Sequence, residues 1–181
     1  MSNIDYRNDT TISTLGANPA GNITKNGISD MLGQTPIVET LTEETGGIIL
    51  TNSSTVPITF DTNVGPNSLN YSYVPGTGVL SILKPGIYTY NYTLLYTITS
   101  GTSIDLVSLL QLNGTTITGS TGIVDTAGAA TTDRYTCNVS GVFATTSSTD
   151  NIRLLVTNGT GANANVIVGS KLQVYNIYLS S

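Results

Sequence analysis

The stretch from Gly86 to Thr99, GIYTYNYTLLYTIT, alternates large apolar or aromatic residues with smaller polar ones along most of its length. Successive side chains of a β-strand point to opposite faces, so the alternation separates a tyrosine-rich face from a threonine-rich one. The stretch predicts a long strand with one packed face and one wet face. On the packed face lie Tyr88, Tyr90, Tyr92 and Leu94, and on the wet face lie Thr89, Asn91 and Thr93.

Shorter runs of the same kind follow one another from residue 46 onward. β-Branched residues, leucine and tyrosine fill each run, and Gly, Pro, Asn and Ser separate the runs. Many short strands at such spacing are typical of a sandwich or a barrel. The predicted strands are Gly47–Thr51, Val56–Phe60, Leu69–Val74, Gly78–Leu83, Gly86–Thr99, Ile104–Leu112, Thr115–Ile117, Arg134–Thr145, Asn151–Thr157 and Ser170–Leu179.

The composition argues against a helical fold. Charged residues make up 9% of the chain, whereas about 25% is usual. In their place stand 31 Thr, 18 Ser, 17 Asn and 19 Gly, all weak helix formers. Hydrophobic residues still reach 39%, which is enough for a packed core. We therefore predict an all-β fold.

Residue types also exclude several classes of function. The chain has no histidine, which removes the usual Ser-His-Asp, Cys-His and zinc-site chemistries. Its one cysteine, Cys137, alternates with Tyr135 and Val139 in RYTCNVSG and is expected to be a buried core thiol. We predict that the chain is not an enzyme and has no catalytic, cofactor or metal site.

Charge and hydropathy restrict the partners. Six Lys and Arg against eleven Asp and Glu give a net charge of −5, and no basic patch gathers that could bind phosphates. No run of 18 consecutive apolar residues occurs. We expect no binding to nucleic acid, no signal peptide and no membrane span.

Several polar or aromatic clusters have a functional interpretation beside the ordinary one. Glu39, Glu43 and Glu44 could bind a cation or a basic partner, and three aspartates in predicted loops could bind calcium, but solvated connections and turns account for both groups. Tyr71 and Tyr73 could stack on a sugar or a base, but core packing is favoured. Eight N-x-[ST] triplets are weak evidence for glycosylation. The three aspartates are Asp125, Asp133 and Asp150; the triplets begin at Asn8, Asn22, Asn52, Asn70, Asn91, Asn113, Asn138 and Asn158.

The two ends of the chain indicate assembly. Residues 1–45 show no sustained alternation and contain several glycines, so we expect an extended N-terminal arm before a domain over residues 46–181. The last run, LQVYNIYL, is apolar or aromatic at nearly every position, as expected of a strand covered by another chain. The predicted subunit interface comprises Tyr88, Tyr90, Tyr92, Tyr175 and Tyr178.

Four sequence elements together resemble the jelly-roll family of tumour necrosis factor and the complement-type globular heads. They are a Pro-Gly-x-Tyr strand entry, a strand ending in Asn-Gly, a strand opening with Asp, and an apolar last strand. The resemblance implies a two-sheet antiparallel jelly-roll sandwich of about ten strands that associates as a homotrimer. The matching residues are Pro85, Gly86 and Tyr88; Asn113 and Gly114; Asp150 through Val156; and Leu172 through Leu179.

Among proteins of this shape, the charge-poor composition is similar to minor capsid or decoration proteins of large double-stranded DNA viruses and to surface glycoproteins of bacterial spores. Low charge suits permanent packing, because a buried charge is costly unless paired. Our leading hypothesis is a structural subunit of a virion, trimeric through its jelly roll and tethered to other shell proteins through residues 1–45. The alternative is a receptor- or sugar-binding head of a viral fibre or of a spore surface.

Overall fold

The computed structural model describes residues 38–64, 70–128, 130–131, 133–159 and 162–179. These residues form fourteen strands and no helix, so none of them belongs to a helix that could cross a membrane. The strands are β1 (Val38–Thr42), β2 (Ile48–Leu50), β3 (Thr55–Pro57), β4 (Thr62–Asn63), β5 (Tyr71–Tyr73), β6 (Leu80–Ile82), β7 (Gly86–Ser100), β8 (Ser103–Leu112), β9 (Thr115–Thr116), β10 (Gly122–Ala127), β11 (Arg134–Thr145), β12 (Asn151–Asn158), β13 (Asn163–Val166) and β14 (Lys171–Leu179).

The strands form two antiparallel sheets that pack into a sandwich. In the front sheet, β14 and β13 pair with successive parts of one edge of β7, and β11 pairs with its other edge. Strand β2 continues the sheet beyond β13, and β1 and then β4 continue it beyond β14. The back sheet runs β10-β8-β12-β6-β5, with β3 added to β12 and β9 added to β8. The predicted all-β, two-sheet antiparallel architecture is therefore confirmed.

Alternation along the strands builds the core. In β7 and β8 every second side chain is buried between the sheets, while the intervening ones remain at least partly accessible. The four largest fully buried side chains are the β7 tyrosines Tyr88, Tyr90, Tyr92 and Tyr96. Two of their hydroxyl groups reach backbone acceptors between strands: Tyr88 donates to the Lys84 carbonyl at 2.6 Å and Tyr92 to the Ser120 carbonyl at 2.7 Å. These bonds offset the cost of burying a phenol.

All ten predicted runs contain or overlap a strand, but four strands were not predicted. They are β1, β4, β10 and β13. Strand β1 illustrates the reason, because two of its neighbouring inward positions carry Glu39 and Leu41, and Glu43 follows at the next such position. Carboxylates at inward positions hide the apolar alternation on which strand prediction relies.

Residues 38–45, which the sequence places in the arm, contain β1 and the start of the turn into β2. Strand β1 pairs with β14 from Val38 to Thr42 and with β4 over its last two residues. This segment is therefore part of the front sheet. The rest of the predicted arm, residues 1–37, lies outside the described residues.

The turn between β8 and β9 adopts the geometry that its sequence predicts. Asn113 has a φ of 50° and Gly114 a φ of 83°. A two-residue hairpin turn that matches the twist of its strands needs positive φ at both positions, which asparagine and glycine adopt most easily. The Asn113-Gly114 pair thus fixes the register of this hairpin.

Candidate assembly surface

Apolar side chains gather at one end of the outer face of the front sheet. Ile87 lies opposite Ala144 on β11, and Thr89 lies between Val142 on β11 and Tyr175 on β14. Scattered exposed apolar residues are ordinary, but a contiguous group marks an interaction surface. Ile87, Val142 and Ile177 are 41%, 54% and 54% exposed. We call this group the front patch: Ile87, Val142, Ala144, Tyr175 and Ile177.

A register shift in β14 shapes this end of the sheet. The pairing with β7 is irregular between Asn176 and Tyr178. Asn176 is buried, and the next residue, Ile177, is exposed. An extra residue in one strand of an antiparallel pair bends that strand and redirects its side chains. The shift therefore lies at the margin of the front patch.

Farther along the same face the surface becomes polar. A shallow depression of about 220 Å³ is lined by Asn91, Thr93, Asn138, Val139, Ser140 and Lys171. The Thr93 hydroxyl donates to the Asn138 side-chain oxygen at 2.7 Å. Amide and hydroxyl groups in such a depression offer both donors and acceptors. The outer face of the front sheet is thus apolar at one end and uncharged polar, apart from Lys171, in the middle.

The tyrosines predicted as a subunit interface are mostly inside the sandwich. Tyr88, Tyr90 and Tyr92 are at most 1% exposed in a single chain, so no second copy can contact them, and this part of the prediction is wrong. They face the back sheet because β7 directs its even-numbered residues inward. Tyr175 is half-buried on the outer face. The Tyr178 side chain lies outside the described residues.

Cys137 occupies the core, as its alternation predicts. Its sulfur lies 3.4 Å from the Ser108 hydroxyl of the opposite sheet. The same hydroxyl lies 3.1 Å from the Tyr92 hydroxyl. Burial among these groups makes the thiol a packing element and not an accessible nucleophile. That the chain is not an enzyme stays a prediction.

The aspartates considered for calcium have separate structural surroundings. Asp150 accepts hydrogen bonds from Asn113 and from the backbone of Thr146 and Ser147. Burial raises the pKa of Asp150, but these hydrogen bonds outweigh it and lower the pKa overall. Asp133 accepts from Tyr135 and from a backbone N–H within its own turn. Over the described ranges no three carboxylate, thiol or imidazole side chains converge as metal ligands do.

Glu39 and Glu43 are buried carboxylates on either side of Leu41. Each keeps one oxygen without a hydrogen-bond partner. Burial raises the pKa of Glu39, against the opposing effect of a hydrogen bond with Asn63. Burial and then the negative charge of Asp61 raise the pKa of Glu43. Strand β1 and the residue that follows it therefore carry two groups that the sandwich accommodates better when they are protonated.

Asp61 secures the turn that follows Glu43. Its two carboxylate oxygens accept hydrogen bonds from the backbone N–H groups of Glu44 and Thr45, each at 2.8 Å. The hydrogen bond from the Thr45 hydroxyl and the one from the Glu44 backbone lower the pKa of Asp61 to about 2. Asp61 thus stays ionised at about pH 4, where its negative charge still raises the pKa of Glu43.

We expect the double variant Glu39→Gln with Glu43→Gln to gain stability over the wild type at about pH 7. At about pH 4 that gain should be smaller. A carboxyl group whose pKa is higher in the folded chain stabilises it fully below the unfolded pKa. That stability is lost as the pH rises through the folded value. Urea unfolding midpoints at the two pH values measure the effect. Glu44→Gln removes an exposed carboxylate beside them and is the matched control; an equal response of both variants would contradict the expectation.

The remaining sequence candidates are divided by burial. Tyr71 and Tyr73 are core residues, so the stacking platform considered for them is wrong. Asn70 and Asn158 are buried and cannot carry a glycan in the folded chain. The triplets at Asn8 and Asn22 lie outside the described residues. The others begin at the exposed residues Asn52, Asn91, Asn113 and Asn138.

Tyr175 and Ile177 belong to the last strand, which the sequence predicted to be covered by another chain. The other members of the front patch, Ile87, Val142 and Ala144, were missed because they stand at positions where the strand pattern expects polar residues. The available signal was an apolar residue out of phase: Ile87 precedes Tyr88, and Val142 precedes Phe143. A strand with tyrosines on one face should carry isoleucine on the other only where that face is covered.

Comparisons with known proteins give matches in structure only. No family model matches the sequence, and no curated protein matches it. The crystal structure of murine APRIL at pH 5.0 aligns with a TM-score of 0.55 and 16% identity, covering 78% of this chain and 99% of that one. Eiger TNF from S. frugiperda aligns with a TM-score of 0.55 and 13% identity, covering 81% and 95%. The globular domain of zebrafish complement 1qA aligns with a TM-score of 0.53 and 9% identity, covering 80% and 99%.

The chain has a jelly roll of the tumour necrosis factor type. This fold was implied by the Pro-Gly-x-Tyr, Asn-Gly and closing-strand elements, and it is confirmed. At such identities the likeness concerns the fold alone, because one jelly roll supports unrelated functions. What this tumour-necrosis-factor-like chain does must be argued from its own surfaces.

Proposed function

We propose that the chain is a structural assembly subunit that forms a homotrimer through the outer face of its front sheet. The observation that carries this proposal is the front patch, where Ile87, Val142 and Ile177 are exposed together. Covering these side chains removes apolar surface from water at no cost in buried charge. The resemblance to the tumour necrosis factor and complement-head family supplies the expected number of copies.

The kind of assembly and its location are part of the same proposal. We propose a minor capsid or decoration subunit of a large DNA virus, located in the virion, with a spore surface as the alternative location. Low charge and the absence of histidine support a packing role over a catalytic one. Because β1 begins at Val38, the segment proposed to tether the trimer to other shell proteins shortens to residues 1–37.

The trimer is tested by the light-scattering mass of the purified chain. In dilute solution, below the concentrations at which trimers associate further, we expect three times the 18.9 kDa mass of one chain for the wild type and one chain mass for Val142→Asp. An aspartate in the middle of the front patch would be buried without a partner, which costs several kcal/mol per copy. Val74→Asp replaces a similarly exposed valine in a turn and should remain trimeric. A monomeric wild type, or a trimeric Val142→Asp, would contradict the proposed interface.

The polar depression on the same face favours a second function, a sugar-binding head. Its asparagine, threonine and serine groups resemble the neutral donors and acceptors that hydroxyl-rich ligands require. The two functions exclude each other at this surface, because a front-sheet trimer brings neighbouring chains against it. A wild type that is monomeric and binds glycans on an array would support the binding head and exclude the trimer.

A further inference from the structure

The outer face of the back sheet carries a second apolar group, which we call the back patch. Cross-strand register places Ile123 opposite Val107, and Leu109 opposite Leu155, which in turn lies opposite Pro57. Residues directly opposite in an antiparallel pair share a face. Ile123 is 65% exposed, Pro57 is exposed, and the other three are half-buried. The back patch is Pro57, Val107, Leu109, Ile123 and Leu155.

Opposite charges stand at the two ends of the back patch. Asp105 and Asp125 are directly opposite on β8 and β10, an arrangement that repels. At the other end Arg153 lies opposite Gln111. From Asp105 to Gln111 the strand advances six residues, about 20 Å at roughly 3.4 Å per residue. Arg153 therefore cannot neutralise either aspartate of its own chain.

We propose that the back patch binds the back patch of a second copy about a two-fold axis. The axis lies in the plane between the two facing back sheets and crosses the strands obliquely, because Arg153 is on β12 whereas Asp105 and Asp125 are on β8 and β10. Such an axis exchanges the two ends of the back patch, so Arg153 of each copy faces Asp105 and Asp125 of the other. The apolar rows then meet in the middle. A two-fold contact is self-complementary, so both charge contacts form at once.

This contact deepens the proposed function and rests on it for its consequence. A front-sheet trimer leaves three back sheets on its outside. Two-fold contacts from each of them link one trimer to three others, which builds a shell and not a closed pair. Where the front-sheet trimer fails, the same patch gives only a dimer. The mass therefore distinguishes the two contacts, since growth beyond the trimer needs both.

Charge exchange between two variants tests the proposal. The glutamate variant is Arg153→Glu, and the lysine variant combines Asp105→Lys with Asp125→Lys. Each variant alone places like charges together at both contacts. Each should therefore stay trimeric at about ten times the concentration at which wild-type trimers associate into larger assemblies. In an equal mixture the glutamate of one variant faces the lysines of the other, and the arginine of the lysine variant faces the aspartates of the glutamate variant. Association beyond the trimer should therefore return. We expect salt near 1 M to suppress growth of wild type and mixture.

Controls keep the outcomes separate. Lys84→Glu reverses an exposed charge in the turn before β7, and its trimers should associate as wild-type trimers do. If the lysine variant does not fold, Asp105→Asn with Asp125→Lys gives the same reversal of sign. In the Val142→Asp background the back patch should give a dimer at the concentrations at which wild-type trimers associate, and one chain mass at lower concentrations. Loss of that dimer when Arg153→Glu is added isolates the back contact. Growth of either variant alone, or a mixture that stays trimeric, would overturn the proposal.

Discussion

Replacing Gly122 by alanine is expected to destabilise the fold by about 3 kcal/mol, at the upper end of what overpacking a core costs. Gly122 begins β10 and faces the interior opposite Ser108. A β-carbon there would contact Cys137 Sγ and lie 2.7 Å from Val139 Cγ2 and 2.9 Å from Ser108 Oγ. Those atoms belong to both sheets, so the extra methyl group has to push the sheets apart. The free energy of unfolding of a whole domain is only about 5–15 kcal/mol.

Urea unfolding of Gly122→Ala against the wild type measures the loss. Gly159→Ala is the matched control, because its β-carbon would meet the carboxylate of the half-buried Asp105, the end of a side chain that can rotate away. Combining Gly122→Ala with Cys137→Ala removes the nearest obstacle and should recover part of the loss. An unchanged midpoint for Gly122→Ala would mean that the sheets tolerate a wider spacing here. No recovery in the double variant would mean that Cys137 is not the obstacle.

The fold was predictable because its information is local. The alternation in Gly86–Thr99 identifies the packed face of β7, and the Asn113-Gly114 turn sets the β8–β9 hairpin. Neither needs knowledge of a distant strand. Strand β1 was not predictable in the same way, because Glu39 and Glu43 occupy inward positions that only the tertiary structure makes tolerable.

The candidate surfaces depend on non-local pairing and were harder to predict. The tyrosines of β7 were proposed for both core and interface, although one strand face can serve only one of them. Register decided the matter by placing Tyr88 between the sheets and Ile87 beside Ala144 outside. In the same way, Asp105 and Asp125 lie 20 positions apart in the sequence and meet only through the β8–β10 pairing. Periodicity gives the face of a residue, and register gives its neighbours.

Replacing Asn158 by aspartate is expected to cost more than 3 kcal/mol at neutral pH, about the upper end for a buried polar group left unpaired. Asn158 is fully buried at the end of β12. Its side-chain amide donates to the Leu50 carbonyl at 3.0 Å and to the Ala162 carbonyl at 2.7 Å, and so joins the back sheet to two segments of the front sheet. A carboxylate offers both carbonyls negative charge in place of a donor.

The expected loss depends on pH in a direction that separates it from simple misfit. A carboxyl group at this position would hold its proton more tightly in the folded chain than in the unfolded one, because burial and the two carbonyls disfavour its charge. Below the unfolded pKa the protonated group can still donate one hydrogen bond, so the variant should recover stability between about pH 7 and about pH 4. Asn52→Asp makes the same chemical change in an exposed turn and should alter the unfolding midpoint little at either pH. A loss for Asn158→Asp that does not change with pH would show that shape, and not charge, governs this junction between the sheets.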